Sequence, residues 1–142
     1  MANYYATIRT NYFSVKDENR FRELIQSVST EDEVHIFEKP QSDGKTLYGF
    51  GCYGSIYGLP VETEGGFSET DMDYFLDSLQ KIVSDGDAII MTEVGYEKLQ
   101  YVLGYSAVIT SKEIKCVSIP DSGVTLAREL LGNDDFETQV DY

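Results

Sequence analysis

Val34-His35-Ile36-Phe37-Glu38-Lys39-Pro40-Gln41-Ser42-Asp43-Gly44-Lys45-Thr46-Leu47-Tyr48-Gly49-Phe50 is the stretch that decides the fold. Its two ends are β-branched and aromatic, and Gln41-Ser42-Asp43-Gly44 between them carries the Asp and Gly that tight turns use. Strands joined by so short a connection run antiparallel, because a parallel pair needs a crossover of a dozen residues or more. Upstream, Asp17 is placed to cap a helix in which Phe21, Leu24, Ile25 and Val28 recur at spacings of three and four. Tyr4 to Tyr12, rich in aromatic and β-branched residues, reads as a first strand.

Downstream, the second arm is expected to run from Thr46 to Tyr57, and Gly58, Pro60, Gly65 and Gly66 mark residues 58–67 as a loop. Ser68 or Thr70 is the expected cap of a second helix whose apolar side is Met72, Phe75, Leu76, Leu79, Ile82 and Val83. Asp85-Gly86-Asp87 ends that helix and launches Ala88 to Thr92, a nearly continuous apolar run that belongs in the middle of a sheet. Tyr101 to Thr110 and Lys115 to Ile119 form a hairpin about Ser111-Lys112-Glu113. Pro120 breaks the run, and Val124 to Leu131 is a last helix stopped by Gly132.

The resulting order, β-α-β-β-α-β-β-β-α, is that of an α+β fold with a mostly antiparallel sheet and helices on one face. A ferredoxin-like core with an added hairpin and helix is the topology it implies. Residues 1–133 are expected to form one domain, and the acidic segment 134–142, which lacks periodicity, a mobile tail.

Charge is the strongest functional signal. The chain has 25 acids against 11 bases, a net charge of -14. Residues 46–94 alone carry nine acids and one base. Between Lys45 and Lys81 there is no Lys or Arg, while Glu62, Glu64, Glu69, Asp71, Asp73 and Asp77 all fall there. Charge of one sign creates a long-range field that repels nucleic acid and attracts a basic protein surface. Direct nucleic-acid binding is therefore disfavoured, and those six carboxylates are the candidate partner-binding residues. Acids around the start of the second helix also complement its dipole.

Catalytic patterns fail on context. Gly49-Phe50-Gly51-Cys52-Tyr53-Gly54 matches GxGxxG, but a dinucleotide site needs those glycines between a strand and a helix N-terminus, whereas strand residues follow here. The glycines read instead as a bulge, a strong twist or a close backbone approach. The same stretch resembles the aromatic core of an RNA-recognition sheet, with Phe50, Tyr53 and Tyr57 as stacking rings, yet it is out of register after Gly51 and flanked by negative charge. His35, the only histidine, precedes no nucleophile motif and reads as structural. Cys52 and Cys116 lie far apart with no basic neighbour in sequence and read as reduced, buried thiols. Asp71, Asp73 and Asp77 lack the spacing of a calcium loop, so no metal or cofactor is expected. A carboxylate pair set for hydrolysis is a matter of three-dimensional separation and stays open. The N-terminus has no signal-peptide pattern and no apolar run is long enough to span a membrane, so a cytoplasmic location is expected.

Met1-Ala2-Asn3-Tyr4-Tyr5-Ala6-Thr7-Ile8-Arg9-Thr10-Asn11-Tyr12-Phe13 and Glu97-Lys98-Leu99-Gln100-Tyr101-Val102-Leu103-Gly104-Tyr105 resemble segments of small acidic proteins carried on conjugative transposons and prophages of Gram-positive bacteria. That resemblance implies a setting among host nucleases, restriction enzymes and repressors, and transfers no functional residues. The leading expectation is a non-enzymatic acidic binding protein, a nucleic-acid mimic or an inhibitor or regulator of a host nucleic-acid-binding protein. The alternative is a self-assembling or protein-interaction module that uses a tyrosine-rich sheet face, with Tyr48, Tyr53, Tyr57, Tyr101 and Tyr105 as its rings and acidity serving only solubility.

Overall fold

A computed structural model describes residues 4–66 and 68–139. Met1–Asn3 of the mobile-element resemblance, and residues 140–142 of the expected tail, lie outside the described residues. The elements run β1 (Tyr5–Thr10), α1 (Glu18–Ser27), β2 (Ser29–Thr30), β3 (His35–Pro40), β4 (Thr46–Tyr53), β5 (Ile56–Glu62), β6 (Ser68–Asp71), α2 (Met72–Ile82), β7 (Ile89–Glu97), β8 (Tyr101–Ile109), β9 (Ile114–Ser118) and α3 (Ile119–Leu131).

The decisive hairpin forms as expected, with β3 antiparallel to β4 from His35↔Gly51 to Pro40↔Thr46. It builds one side of a six-stranded antiparallel sheet ordered β3-β4-β1-β7-β8-β9. The first four positions are the split arrangement of a ferredoxin-like core, with β1 between β4 and β7, and β8-β9 extend it as a hairpin. A second sheet, β2-β5-β6, holds the chain between β4 and α2.

Five local expectations are corrected. The strand expected from Thr46 to Tyr57 is two strands, because Gly54 takes φ +87° and turns the chain out of the large sheet. The first half of the expected loop at 58–67 is strand: β5 runs to Glu62 and pairs with β6 from Leu59↔Asp71 to Glu62↔Ser68. Gly58, at φ +114°, makes that pairing close, since a Cβ there would lie 2.4 Å from the Asp71 carbonyl oxygen. The cap of α2 is Asp71, whose carboxylate accepts from the Tyr74 amide at 3.1 Å. β7 continues five residues past Thr92, and α3 starts at Ile119 with Pro120 in its first turn, where proline's missing N–H has no intrahelical partner to lose. Asp17 caps α1 as read, accepting from the Asn19 and Arg20 amides, and Gly132 closes α3 in the left-handed region.

The pleat of the large sheet sends alternate side chains to opposite faces. On one face Ile8, Tyr48, Phe50, Cys52, Ile89, Met91, Ala107 and Ile109 are buried with Phe21, Leu24 and Ile25 of α1 and Phe75, Leu79 and Ile82 of α2. Phe13, Phe21, Phe50 and Phe75 form a chain of ring contacts, mostly edge to face, with centroids 5.6–6.4 Å apart. Such pairs add to their area burial because the ring edge is positive and the face negative. Buried Thr10 is satisfied by donating to the Asn11 carbonyl and accepting from the Phe50 amide. No described helix is long and apolar enough to cross a membrane.

Candidate functional site

The six sequence-selected carboxylates are all exposed. Glu62 ends β5, Glu64 lies in the β5–β6 turn, Glu69 is on β6, and Asp71, Asp73 and Asp77 follow along the start of α2. Asp73 and Asp77, four residues apart, share one side of the helix. Asp71 has a second job, as its carboxylate holds the first turn of α2. None of the six joins an ion pair among the described residues; the acids that do are Glu18, Glu38, Asp85 and Glu113. This acidic stretch ends at the groove between α1 and α2, where Arg20 and Lys81 line the wall beside Glu23. In the hairpin register Glu69 and Asp71 share one side of the β5–β6 pair and Glu62 takes the other, so the six make a local acidic region bordered by two cations.

The other face of the large sheet was not selected from sequence as a unit. Register sorts its side chains into rows. At one end lie Tyr5, Tyr96 and Val102, and next to them Tyr53, Thr7 and Val94. The middle row holds His35, Arg9, Thr92, Ser106 and Val117; beyond it come Phe37, Ile90, Val108 and Lys115, and last Lys39 and Leu47. α1 and α2 pack on the opposite face, and of α3 it is Ile119, at its start, that reaches these rows, over Gly104. Tyr5, Tyr53, Ile90, Val94, Tyr96, Val102, Val117 and, beside Gly104, Ile119 are eight of the sixteen large apolar side chains exposed among the described residues.

The face carries Arg9, Lys39 and Lys115 and, in a chain with 25 Asp and Glu, none of the carboxylates. Glu31 and Asp32 border it, lining a hollow of about 800 Å³ at the tyrosine end together with Tyr5, Tyr53 and Tyr96. At that end the Tyr5 and Tyr96 rings sit 5.6 Å apart. Toward the other end Gly49 and Gly51 leave β4 without side chains. Arg9 crosses that bare strand to lie 4.1 Å over the Phe37 ring. The glycines are required by close approach, since a Cβ on Gly51 would meet the Ile8 carbonyl oxygen at 2.7 Å. The signal available in the sequence was the alternation Gly49-Gly51-Tyr53 against Phe50-Cys52, which assigns the two sets to opposite faces once β4 is known to be a strand.

The remaining expectations separate in the same way. Phe50 is core, Tyr53 is on the open face, and exposed Tyr57 lies on β5, away from both. Of the other rings named for an exposed sheet face, Tyr48 is buried and Tyr101 and Tyr105 lie on the opposite side of the pleat. His35 is exposed on β3, contrary to the expected structural histidine, because its side of that edge strand has no covering layer. Cys116 is likewise exposed, on edge strand β9 beyond the reach of α1 and α2, whereas Cys52 is buried. Burial, reinforced by Glu93, Asp32 and Glu31, pushes the Cys52 thiol up to about 11, which disfavours the thiolate that a nucleophile needs.

One further hollow, of about 410 Å³, brings Glu93, Glu97 and Asp121 near Tyr4 and Tyr101. The Tyr4 hydroxyl donates to Glu93 at 2.8 Å, and burial and that carboxylate hold the phenol well above its ordinary range. The hydrogen bond fixes Glu93 as an acceptor. No group of three or more metal-ligating side chains is close enough to hold an ion among the described residues. Comparison with protein-family models, with curated proteins and with solved structures finds no match.

Proposed function

We propose that the chain is a non-enzymatic binding protein whose acidic face, Glu62, Glu64, Glu69, Asp71, Asp73 and Asp77, engages the basic groove of a nucleic-acid-binding protein. The observation that carries this reading is charge segregation. The open sheet face holds three cations and no carboxylate, so the acids crowd onto the remaining surface, and these six are exposed and free of ion pairs among the described residues. Their carboxylates belong to one hairpin and the helix that follows it, with Glu69 and Asp71 on one side of the β5–β6 pair and Glu62 on the other, and together they project a negative field of the kind a phosphate-reading groove attracts. The likeness of residues 1–13 and 97–105 to mobile-element proteins supports a host nuclease, restriction enzyme or repressor as the owner of that groove.

Association steered by such a field is fast at low ionic strength and weakens with salt. The test is capture of partners from a bacterial lysate on the immobilised chain, comparing wild type with the Asp71→Asn, Asp73→Asn, Asp77→Asn triple variant. Asparagine keeps the cap of α2, so the helix start survives the change. The expected result is a nucleic-acid-binding protein retained at 50 mM salt, released at 500 mM, and lost from the triple variant. A partner bound equally by both proteins overturns the reading.

A further inference from the structure

We infer that the open face of the six-stranded sheet is a self-complementary surface that pairs two copies of this chain face to face. Six strands about 4.8 Å apart, with side-chain rows about 6.8 Å apart, give roughly 700 Å² for the whole face. The pairing overlaps all but the row of Lys39 and Leu47, which puts it below the ~800 Å² that each partner buries in a standard interface and makes the dimer a weak one. The face also lets two chains of net charge -14 meet without bringing carboxylates together at its centre.

Its two ends are complementary. The strands carry no charged side chain at the tyrosine end, which Glu31 and Asp32 border, and the cations occupy the middle and the far end. A two-fold axis lying in the interface, across the strands and passing over Cys52, turns one end onto the other. That operation lays β4 on β4 and sets Tyr53 of each copy opposite Gly51 of its mate. Tyr53 is the most exposed tyrosine among the described residues, at 70%. Opposite it, beside Gly51, is an open cleft of about 160 Å³ lined by Arg9, His35, Phe37 and the copy's own Tyr53, with Arg9 and Phe37 lying over the glycine. A cavity of about 150 Å³ accepts a benzene ring, so the cleft is the size of the ring it would receive. Arg9 already lies over the Phe37 and Tyr12 rings, and an entering tyrosine would stack against its guanidinium as a third cation–π partner. An isologous contact of this kind closes after two copies and leaves both acidic faces turned outward.

Sedimentation velocity and light scattering over 5–500 μM test the pairing on the full chain. The wild type is expected to move from 16.0 kDa toward twice that mass across the series. Tyr53→Glu and Arg9→Glu should each weaken the dimer at least tenfold with unchanged circular dichroism, because both side chains are exposed. Tyr57→Glu, on an exposed tyrosine outside the face, should leave it intact. The acidic triple variant should dimerise at least as well as wild type, so this inference and the acidic-face reading can fail separately. A wild type that stays monomeric at 500 μM, or a dimer indifferent to Tyr53→Glu, overturns the inference. So does a monomer whose open face instead binds a labelled single-stranded oligonucleotide in an anisotropy titration.

Discussion

Phe50 and Tyr53 lie three residues apart on the same strand, and nothing else about them is alike. Phe50 is closed off from solvent between β4 and the two helices, while Tyr53 is the most exposed tyrosine described, on the opposite side of the same pleat. The difference extends across the whole sheet: one face is sealed by α1 and α2, and the other is apolar, weakly basic and bare. The lesson is that the net charge of a chain does not describe each of its surfaces. Averaged over all residues this is a strongly acidic protein, yet the open face of its large sheet carries three cations and no carboxylate.

The sharpest way to break the comparison is to truncate each ring. Phe50→Ala should destabilise the fold by about 3–5 kcal/mol, because it removes a ring that touches Phe13, Phe21 and Phe75 and leaves a cavity between sheet and helices. Tyr53→Ala should change monomer stability by less than ~0.5 kcal/mol, as an exposed site does. Urea unfolding of both variants at low protein concentration measures the contrast, and equal losses would erase the distinction between the faces.

Titration probes the sealed face next. The Cys52 thiol is raised from 9.0 to about 11 by burial and nearby carboxylates, and Tyr48 and Tyr105 are raised by burial in the same direction. A group whose proton is held more tightly when folded stabilises the fold below its unfolded value, and that contribution is lost as pH climbs through the folded one. Thermal midpoints should therefore fall between pH 9 and 11. The part that Cys52→Ala removes from this slope should be up to about 3 kcal/mol. In the same protein a thiol reagent at pH 8 should label exposed Cys116 promptly and Cys52 only on unfolding.

A smaller effect separates structure from function within the acidic face. Asp71→Ala should cost about 1 kcal/mol by removing the cap of α2, and Asp71→Asn only a few tenths. Asp73→Asn, which touches no cap, should cost less than ~0.5 kcal/mol. Chemical denaturation of the three variants sorts them, and an Asp71→Ala loss no larger than that of Asp73→Asn would remove the capping role.

Much of this fold is legible without coordinates. The Gln41–Gly44 turn, the Asp17 cap and the spacing of Phe21, Leu24 and Ile25 are local features whose physics acts over a few residues. The six acids were legible for the same reason, since a run without Lys or Arg is visible in one dimension. What could not be read were the partition at Gly54 and the strand nature of residues 58–62, where glycines that usually signal a loop instead permit a tight backbone approach. The open face was hidden for a deeper reason. It is assembled from alternate residues of strands far apart in the chain, and only register reveals that Tyr5, Tyr53 and Tyr96 share it while Phe50 does not.

The most direct measurement is a set of amide correlation spectra of isotopically labelled chain recorded from 20 to 500 μM. If one side of the sheet is sealed and the other pairs two copies, the amides that move with concentration lie on β1, β4, β7 and β8, led by Arg9, Gly51 and Tyr53, while α2 and the β5–β6 hairpin stay still. Shifts confined to α2 and the β5–β6 hairpin, or no shifts at all, would contradict it.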